Sequence, residues 1–386
     1  MENTLQKDLI KIRRFLHEHA ELGFDLPQTT AFVTDQLTQM GYAPKPCGKS
    51  GVIATLGKRT EKCILLRADM DGLPLREETG LPFACKTGNM HACGHDMHTA
   101  ILLGAARLLK DKKLNGSVKF LFQPAEEILQ GASDILQSGA LEEPKPQAAI
   151  TLHVSTGTNL PSGTVVLSTR ETAAPAADYF RITVRGKSCH GSTPEKGVDA
   201  LTAAAHILLG LQSLSAREMA VDDPFVLTVG KMQAGNAGNA IPDRAEMQGT
   251  IRAYNEETRE RVKTRLTEIA KTQAKAFRAK VQVKFEGGCP TLKNDLELSA
   301  FVKEQAENLL GKNAVLTTDG RGGGSEDFAY ISHELPSVLL VLSAGEIKKG
   351  YRYPLHHPKT AFDESVLLIG SKLYARIAEE WLISAK

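Results

Sequence analysis

The sequence predicts an α/β protein with a mostly parallel central sheet, into which a second, α+β domain is inserted. Three observations predict it. Short apolar runs alternate with longer helical patterns at both ends of the chain, as strands and helices taken in turn do. From about Tyr179 the pattern changes to period two, with Phe180, Ile182 and Val184 separated by polar residues. At 386 residues the chain is too long for one compact core.

Taken in order, Ile10, Ile12, Phe15 and Leu16 mark the inner face of an amphipathic N-terminal helix. The segment Met1 to Phe24 is charged throughout and has no signal-peptide core. Cys63 to Leu66 is a buried-strand run leading into Arg67, Asp69 and Asp71. Thr99 to Leu109 is a close-packing helix rich in small residues. Val118 to Phe122 is a second buried strand, leading into Glu126 and Glu127, and Ala148 to Leu152 a third, ending at His153. Open α/β sheets bind ligands beyond the carboxyl ends of their strands. Three strands here lead into ionisable residues at that edge.

The period-two stretch is followed by a helix (Asp199 to Ser213) and strands near Phe225 to Val229 and Ala245 to Ala253. A charged helix (Glu256 to Arg278) and a strand (Val281 to Phe285) complete it. This order predicts a four-stranded antiparallel sheet with two helices over residues 178–288. The larger domain then comprises 1–177 and 289–386, because the α/β pattern resumes after Pro290.

Hydrophobic residues make up 42% and charged residues 24%, ordinary for a globular protein, and the formal net charge is +2. Lys and Arg are scattered, so there is no footprint for nucleic acid or an anionic membrane. The longest apolar run, Val338 to Leu342, suits a buried strand and not a membrane span. Six dispersed cysteines do not form a secreted disulfide framework, and a reduced, cytoplasmic protein is expected.

The chemistry concentrates in His91-Ala92-Cys93-Gly94-His95-Asp96-Met97-His98. Thiol, imidazole and carboxylate are the ligand set of zinc and its neighbours. In an extended segment Cys93 and His95, two apart, would point to one centre. Glu126-Glu127 follows a buried strand and a proline. Adjacent carboxylates diverge, so one can bind metal while the other serves as general acid/base. An isolated Glu pair is more often solvated, but its place beside the other strand ends reverses that preference. Asp71 is expected to orient a metal-binding histidine. Asp96 either holds the loop or caps the next helix. His153 and His356-His357-Pro358 are ambiguous when taken alone.

Together these residues resemble a known family. Cys93-Gly94-His95-Asp96, Phe122-Gln123-Pro124-Ala125-Glu126-Glu127, Leu152-His153-Val154 and Leu355-His356-His357-Pro358 stand in the order typical of the N-acyl-amino-acid amidohydrolases. That group of metallopeptidase-like enzymes includes hippurate, indoleacetyl-amino-acid and N-acetyldiaminopimelate hydrolases. The resemblance runs from Ile12-Arg13-Arg14-Phe15-Leu16-His17 nearly to the C-terminus. It implies a zinc-peptidase-like catalytic domain with an inserted lid or dimerisation domain. It further implies metal ligands Cys93, His95, Glu127, His153 and His356, with Glu126 as general acid/base. Two divalent ions per site are implied, and the mixed donors suit zinc, manganese, nickel or cobalt.

In the insert, Lys187-Ser188-Cys189-His190-Gly191 resembles the family segment whose histidine reaches a partner subunit's active site, so a homodimer is implied. There His190 would donate to the scissile carbonyl. Asn239-Ala240-Ile241-Pro242 and Gly249-Thr250-Ile251-Arg252 resemble the segments that hold the substrate carboxylate. Arg252 on a strand could instead pair with a local acid. Gly322 to Phe328 resembles a segment near the cleft, with Gly324 a substrate contact; no Lys-Ser/Thr follows the glycines, so it is not a phosphate loop. Two positions depart from the pattern: Thr360 replaces an aromatic residue and Cys189 a glycine. Acyl preference is therefore not carried over.

The activity expected is hydrolysis of the amide bond of N-acyl amino acids. A dipeptidase or carboxypeptidase is a related alternative, since a peptide is also an N-acyl amino acid. A cysteine hydrolase using Cys93 leaves the glutamate pair without a role. A non-catalytic binding protein on the same fold would not need Glu126.

Overall fold

A computed structural model describes residues 2–57 and 62–384. Residues 1, 58–61 and 385–386 of the expected catalytic domain lie outside the described residues. The chain divides into two compact units. The first takes in the chain as far as Ala173, then Lys293–Arg321, then the chain from Asp327 onward. The second is Ala174–Leu292 with Gly322–Glu326.

In the first unit, eight of the described strands form one sheet. Their order is Lys45–Cys47, Gly51–Gly57, Ser117–Gln123, Cys63–Asp69, Ala148–Ser155, Ser337–Ser343, Val165–Ser168 and Val315–Thr318. The four strands from Ser117–Gln123 to Ser337–Ser343 run parallel. Antiparallel pairings flank them. Every residue of Cys63–Asp69 and Ser117–Gln123 is buried, as expected of strands covered on both faces. Both strands run one or more residues past the apolar stretches seen in the sequence, into Asp69 and Gln123. His153 sits within Ala148–Ser155 and not at its end.

The N-terminal helix Glu2–Glu18 buries Leu5, Leu9, Ile12 and Leu16, together with Arg13 and His17. Ile10 and Phe15, expected on its inner face, are only half-buried. Phe15 stacks on Phe32 with ring centroids 4.1 Å apart. The helix His95–Leu109 starts four residues earlier than the apolar pattern indicated. Its Gly104 lets the helix Leu367–Ser384 approach: a Cβ there would lie 2.2 Å from Ser371 Oγ.

The second unit holds an antiparallel sheet in the order Phe225–Ala234, Arg244–Ala253, Ala176–Arg185, Lys280–Cys289. Helices Ala200–Ser213 and Glu256–Ala276 pack on one face of it. Phe180, Ile182 and Val184, the period-two residues, meet Ala203, Ile207, Val262 and Leu266 there. Asp199 and Asn255 cap the two helices by accepting backbone N–H bonds. Among the described residues no helix is long and apolar enough to cross a membrane.

Candidate metal centre

The turn that opens helix His95–Leu109 places the first candidate ligands. Gly94 adopts φ 91°, and a Cβ on it would lie 2.5 Å from Val154 Cγ2 and 3.0 Å from Phe362 Cζ. Only glycine meets both conditions. The segment is therefore a tight turn into a helix, not the extended stretch expected from the spacing of Cys93 and His95. The two residues converge all the same. Cys93, His95 and His153 each bring one ligand atom within 4.8 Å of the others.

His153 donates from Nδ1 to the carbonyl oxygen of Val154 at 2.7 Å, which leaves Nε2 free of a proton and 3.4 Å from Cys93 Sγ. A second group consists of Cys93, Glu127 and His356, again within 4.8 Å. Its His356 has φ 62°, donates its backbone N–H to Ala92 O at 3.0 Å, and brings Nε2 to 3.6 Å from Glu127 Oε2. The adjacent His357 is engaged elsewhere: Nδ1 accepts from the Lys359 N–H at 3.1 Å, and the ring stacks on Tyr353. The two groups share Cys93. His95, Glu126 and Glu127 form a third cluster of the same size.

Asp71 underpins the glutamate pair. One oxygen accepts the Glu126 N–H at 2.9 Å and the other the Glu127 N–H at 3.2 Å, with His95 Nδ1 3.5 Å away. Asp69, His95 and His98 also lie close enough together to suggest a metal group. The chemistry of His98 argues otherwise. Its Nε2 accepts the Val154 N–H at 2.8 Å, so the proton sits on Nδ1, which donates to Asp69 at 2.6 Å. Both nitrogens are committed and no lone pair remains for a cation. Asp96 is not the helix cap, which is Gly94. It holds Arg13 at 2.7 Å and His17 at 2.8 Å on the N-terminal helix.

The donors fit a cation. Both ring nitrogens of His95 and Oε1 of Glu127 are buried without a hydrogen-bond partner. Neighbouring donor atoms stand 3.4–3.8 Å apart, close to the edge of a tetrahedron with ligand bonds of about 2.1 Å. Burial pushes the Cys93 thiol well above its ordinary pKa. Burial, with Asp71 and Asp69 nearby, lifts Glu127 to about 7 against the pull of His95. Burial opposes charge on His95, yet Asp69, Cys93 and Asp71 raise its pKa well above the usual imidazole value. Burial beside His98 brings His153 down to about 3, so it is neutral and ready to donate a lone pair. Thiolate, imidazole and carboxylate are the donor set of a borderline-soft divalent ion, and an ion entering here would displace the protons that Cys93, His95 and Glu127 otherwise retain.

The other sequence-predicted residues belong to the second unit. His190 is exposed, and its Nδ1 accepts the Ser192 N–H at 3.2 Å. That places a proton on Nε2 and makes it a donor. Asn239 is exposed, and its carbonyl accepts the Gly191 N–H at 2.8 Å. Arg252 has no carboxylate partner among the described residues; it donates to Ile251 O and lies over the Tyr179 ring. Gly322, Gly323 and Gly324 have no left-handed φ, and a Cβ on any of them meets open space. Packing within the chain does not require glycine at these three positions. Sequence reasoning missed Arg67, Asp327 and the His98–Asp69 pair. An arginine inside an otherwise apolar strand was the available signal for the first.

A sequence model of Peptidase family M20/M25/M40 matches residues 65–380. The chain is 37% identical to N-acetyl-L-cysteine deacetylase of Bacillus subtilis, over 99% of this chain and 90% of the relative. It is 34% identical to hippurate hydrolase of Campylobacter jejuni, over 98% and 97% respectively. A solved Bacillus subtilis structure described as a dinuclear metal-binding peptidase from the M20 family superposes with a TM-score of 0.81. It is 32% identical and covers 99% of both chains.

Proposed function

Because the chain belongs to Peptidase family M20/M25/M40, we propose that it is a metal-dependent amidohydrolase that splits N-acyl-L-amino acids into a carboxylic acid and a free amino acid. The observation that carries this reading is the pair of ligand groups sharing Cys93, with Glu126 beside them. The named activities of the relatives support it, since N-acetyl-L-cysteine and hippurate are both N-acyl amino acids.

Cys93, His95 and His153 would hold one ion, and Cys93, Glu127 and His356 a second, of zinc, manganese, cobalt or nickel. Divalent ions there supply polarisation of the amide carbonyl and acidification of the attacking water. Glu126, with its backbone fixed by Asp71, takes the proton from that water and delivers it to the departing nitrogen. His190 donates from Nε2 to the carbonyl oxygen as charge develops on it. Arg252, which has no carboxylate partner among the described residues, and Asn239 engage the substrate carboxylate, and Gly324 is a further substrate contact.

We place His190's action within a homodimer built on the inserted domain. Helix Ala200–Ser213 exposes Leu201 and Leu209, apolar side chains of the kind that copies of a chain bury. All six cysteines are free thiols, which suits a reducing, cytoplasmic setting.

The test is amino-acid release from N-acetyl, N-benzoyl, N-indoleacetyl and dipeptide substrates, on chelated protein and after adding back each metal. Metal-dependent release from an N-acyl amino acid is expected, and Glu126→Gln keeps its metal but loses turnover by at least about 10²-fold. Folded, metal-loaded protein that releases nothing from the panel, or a fully active Glu126→Gln, overturns the reading.

A further inference from the structure

The glutamate pair stands on a tight loop. Ala125 has φ 57° and Leu129 φ 54°, left-handed conformations that residues other than glycine rarely adopt. The N–H groups of Gln130 and Gly131 return to Ala125 O, each at 3.2 Å. The two ends of the loop press together: a Cβ on Gly131 would sit 1.7 Å from Pro124 O. Backbone held in such a shape needs an outside constraint.

Asp327 supplies it. This carboxylate is fully buried and accepts from residues on both sides of the loop. Oδ1 takes Gln123 Nε2 at 2.7 Å, just before the loop, and Oδ2 takes the Ala132 N–H at 2.8 Å, just after it. The backbone N–H of Asp327 faces Glu126 Oε1 at 3.4 Å. Arg67, itself buried, steadies the carboxylate through Nη2 at 3.0 Å. The same guanidinium reaches Asp69 at 2.7 Å, Gln123 Oε1 at 3.0 Å and Thr151 Oγ1 at 3.5 Å. One cation thus braces three neighbouring strands at the edge where the site lies.

We propose that Asp327 is the positioning residue for Glu126: its carboxylate staples the 124–131 loop from both ends while its own amide faces the Glu126 carboxylate. Asp71 fixes the backbone of Glu126, and Asp327 fixes the loop's closure and the direction of the side chain. The inference rests on the role given to Glu126 above.

Asp327→Asn is the sharpest test, because it keeps the shape and replaces one acceptor with a donor. Arg67 keeps Asp69 as a counter-ion, so the buried cation is not left alone. The expected result is a fall in kcat of about 10²-fold, the scale of a misplaced reacting group. KM, metal content and dimer content stay within about threefold. In the Glu126→Gln background the same change costs nothing further, because a residue acting through Glu126 has nothing left to act on. An unchanged kcat, a loss that tracks metal content, or a full additional loss in the double variant each overturns the proposal. Should Asp327→Asn not fold, Gln123→Met removes one of the same bonds and is read by the same cycle. An active Glu126→Gln sinks the catalytic reading itself, whereas an inactive one beside an active Asp327→Asn sinks only the staple.

Discussion

The Thr360 hydroxyl donates to Pro354 O at 2.5 Å and accepts the His357 N–H at 3.2 Å, closing the chain on either side of His356. Thr360 is completely buried, so valine would fit the space but leave two polar backbone groups unpaired, at about 1–3 kcal/mol each. Thr360→Val is expected to weaken metal binding by about 10–100-fold, the usual effect of disturbing a ligand's support. Competition with a chelator measures it, and an affinity equal to wild type would show that the hydroxyl does not set the His356 loop. The sequence singled out this position only as a departure from a pattern. Its hydrogen bonds depend on a six-residue loop whose shape no spacing rule describes. The clustering of the candidate ligands was easier to read, because Cys93 with His95 and the paired glutamates stand in short runs. The role of His98 was not legible, since it turns on one N–H of Val154 from another strand.

The helix Glu2–Glu18 shows the same limit at the next scale. Its existence and part of its inner face, Ile12 and Leu16, were visible in the apolar spacing, but Arg13 and His17, which occupy core positions beside them, were not. Hydrophobicity alone sends charged residues outward. They go inward here because Asp96 waits at the start of helix His95–Leu109, and Glu77 receives His17 Nε2 at 3.2 Å. Burial and Arg13 disfavour a charged His17, yet Asp96 and Glu77 prevail and its pKa is raised above 6.5. The folded chain therefore holds that proton more tightly than the unfolded chain. Stability from this group is complete below about pH 6.5 and is lost as pH rises through the higher folded value. Thermal unfolding of the wild type should thus shift to lower temperature as the pH is raised past that window, and His17→Gln should flatten the shift. Identical pH profiles for the two proteins would mean that His17 is neutral in the folded state.

For the molecule as a whole, the second unit's strand and helix order was readable because a half-exposed antiparallel sheet alternates cleanly. The dimer placed there is open to direct measurement. Leu209 is 67% exposed on helix Ala200–Ser213 and carries no charge to keep that face solvated. Leu209→Glu is expected to convert a dimer to a monomer by light scattering; a wild-type chain already monomeric would refute the assembly, and a variant still dimeric would move the interface off this helix. A different consequence follows from the placement of Ser337–Ser343 between Ala148–Ser155 and Val165–Ser168. A ribosome that has delivered everything up to Pro336 has supplied seven of the eight strands, yet the sheet still lacks a member of its interior. The Arg67 brace is equally incomplete until Asp327 emerges. Early in synthesis the nascent chain can complete neither its main sheet nor its reactive edge, and the inserted unit is translated while the part of the larger unit before it waits. Such long-range closure makes for slow folding. Biogenesis of this hydrolase is thus governed by the last sixth of its message, well after every proposed ligand but His356 has been made.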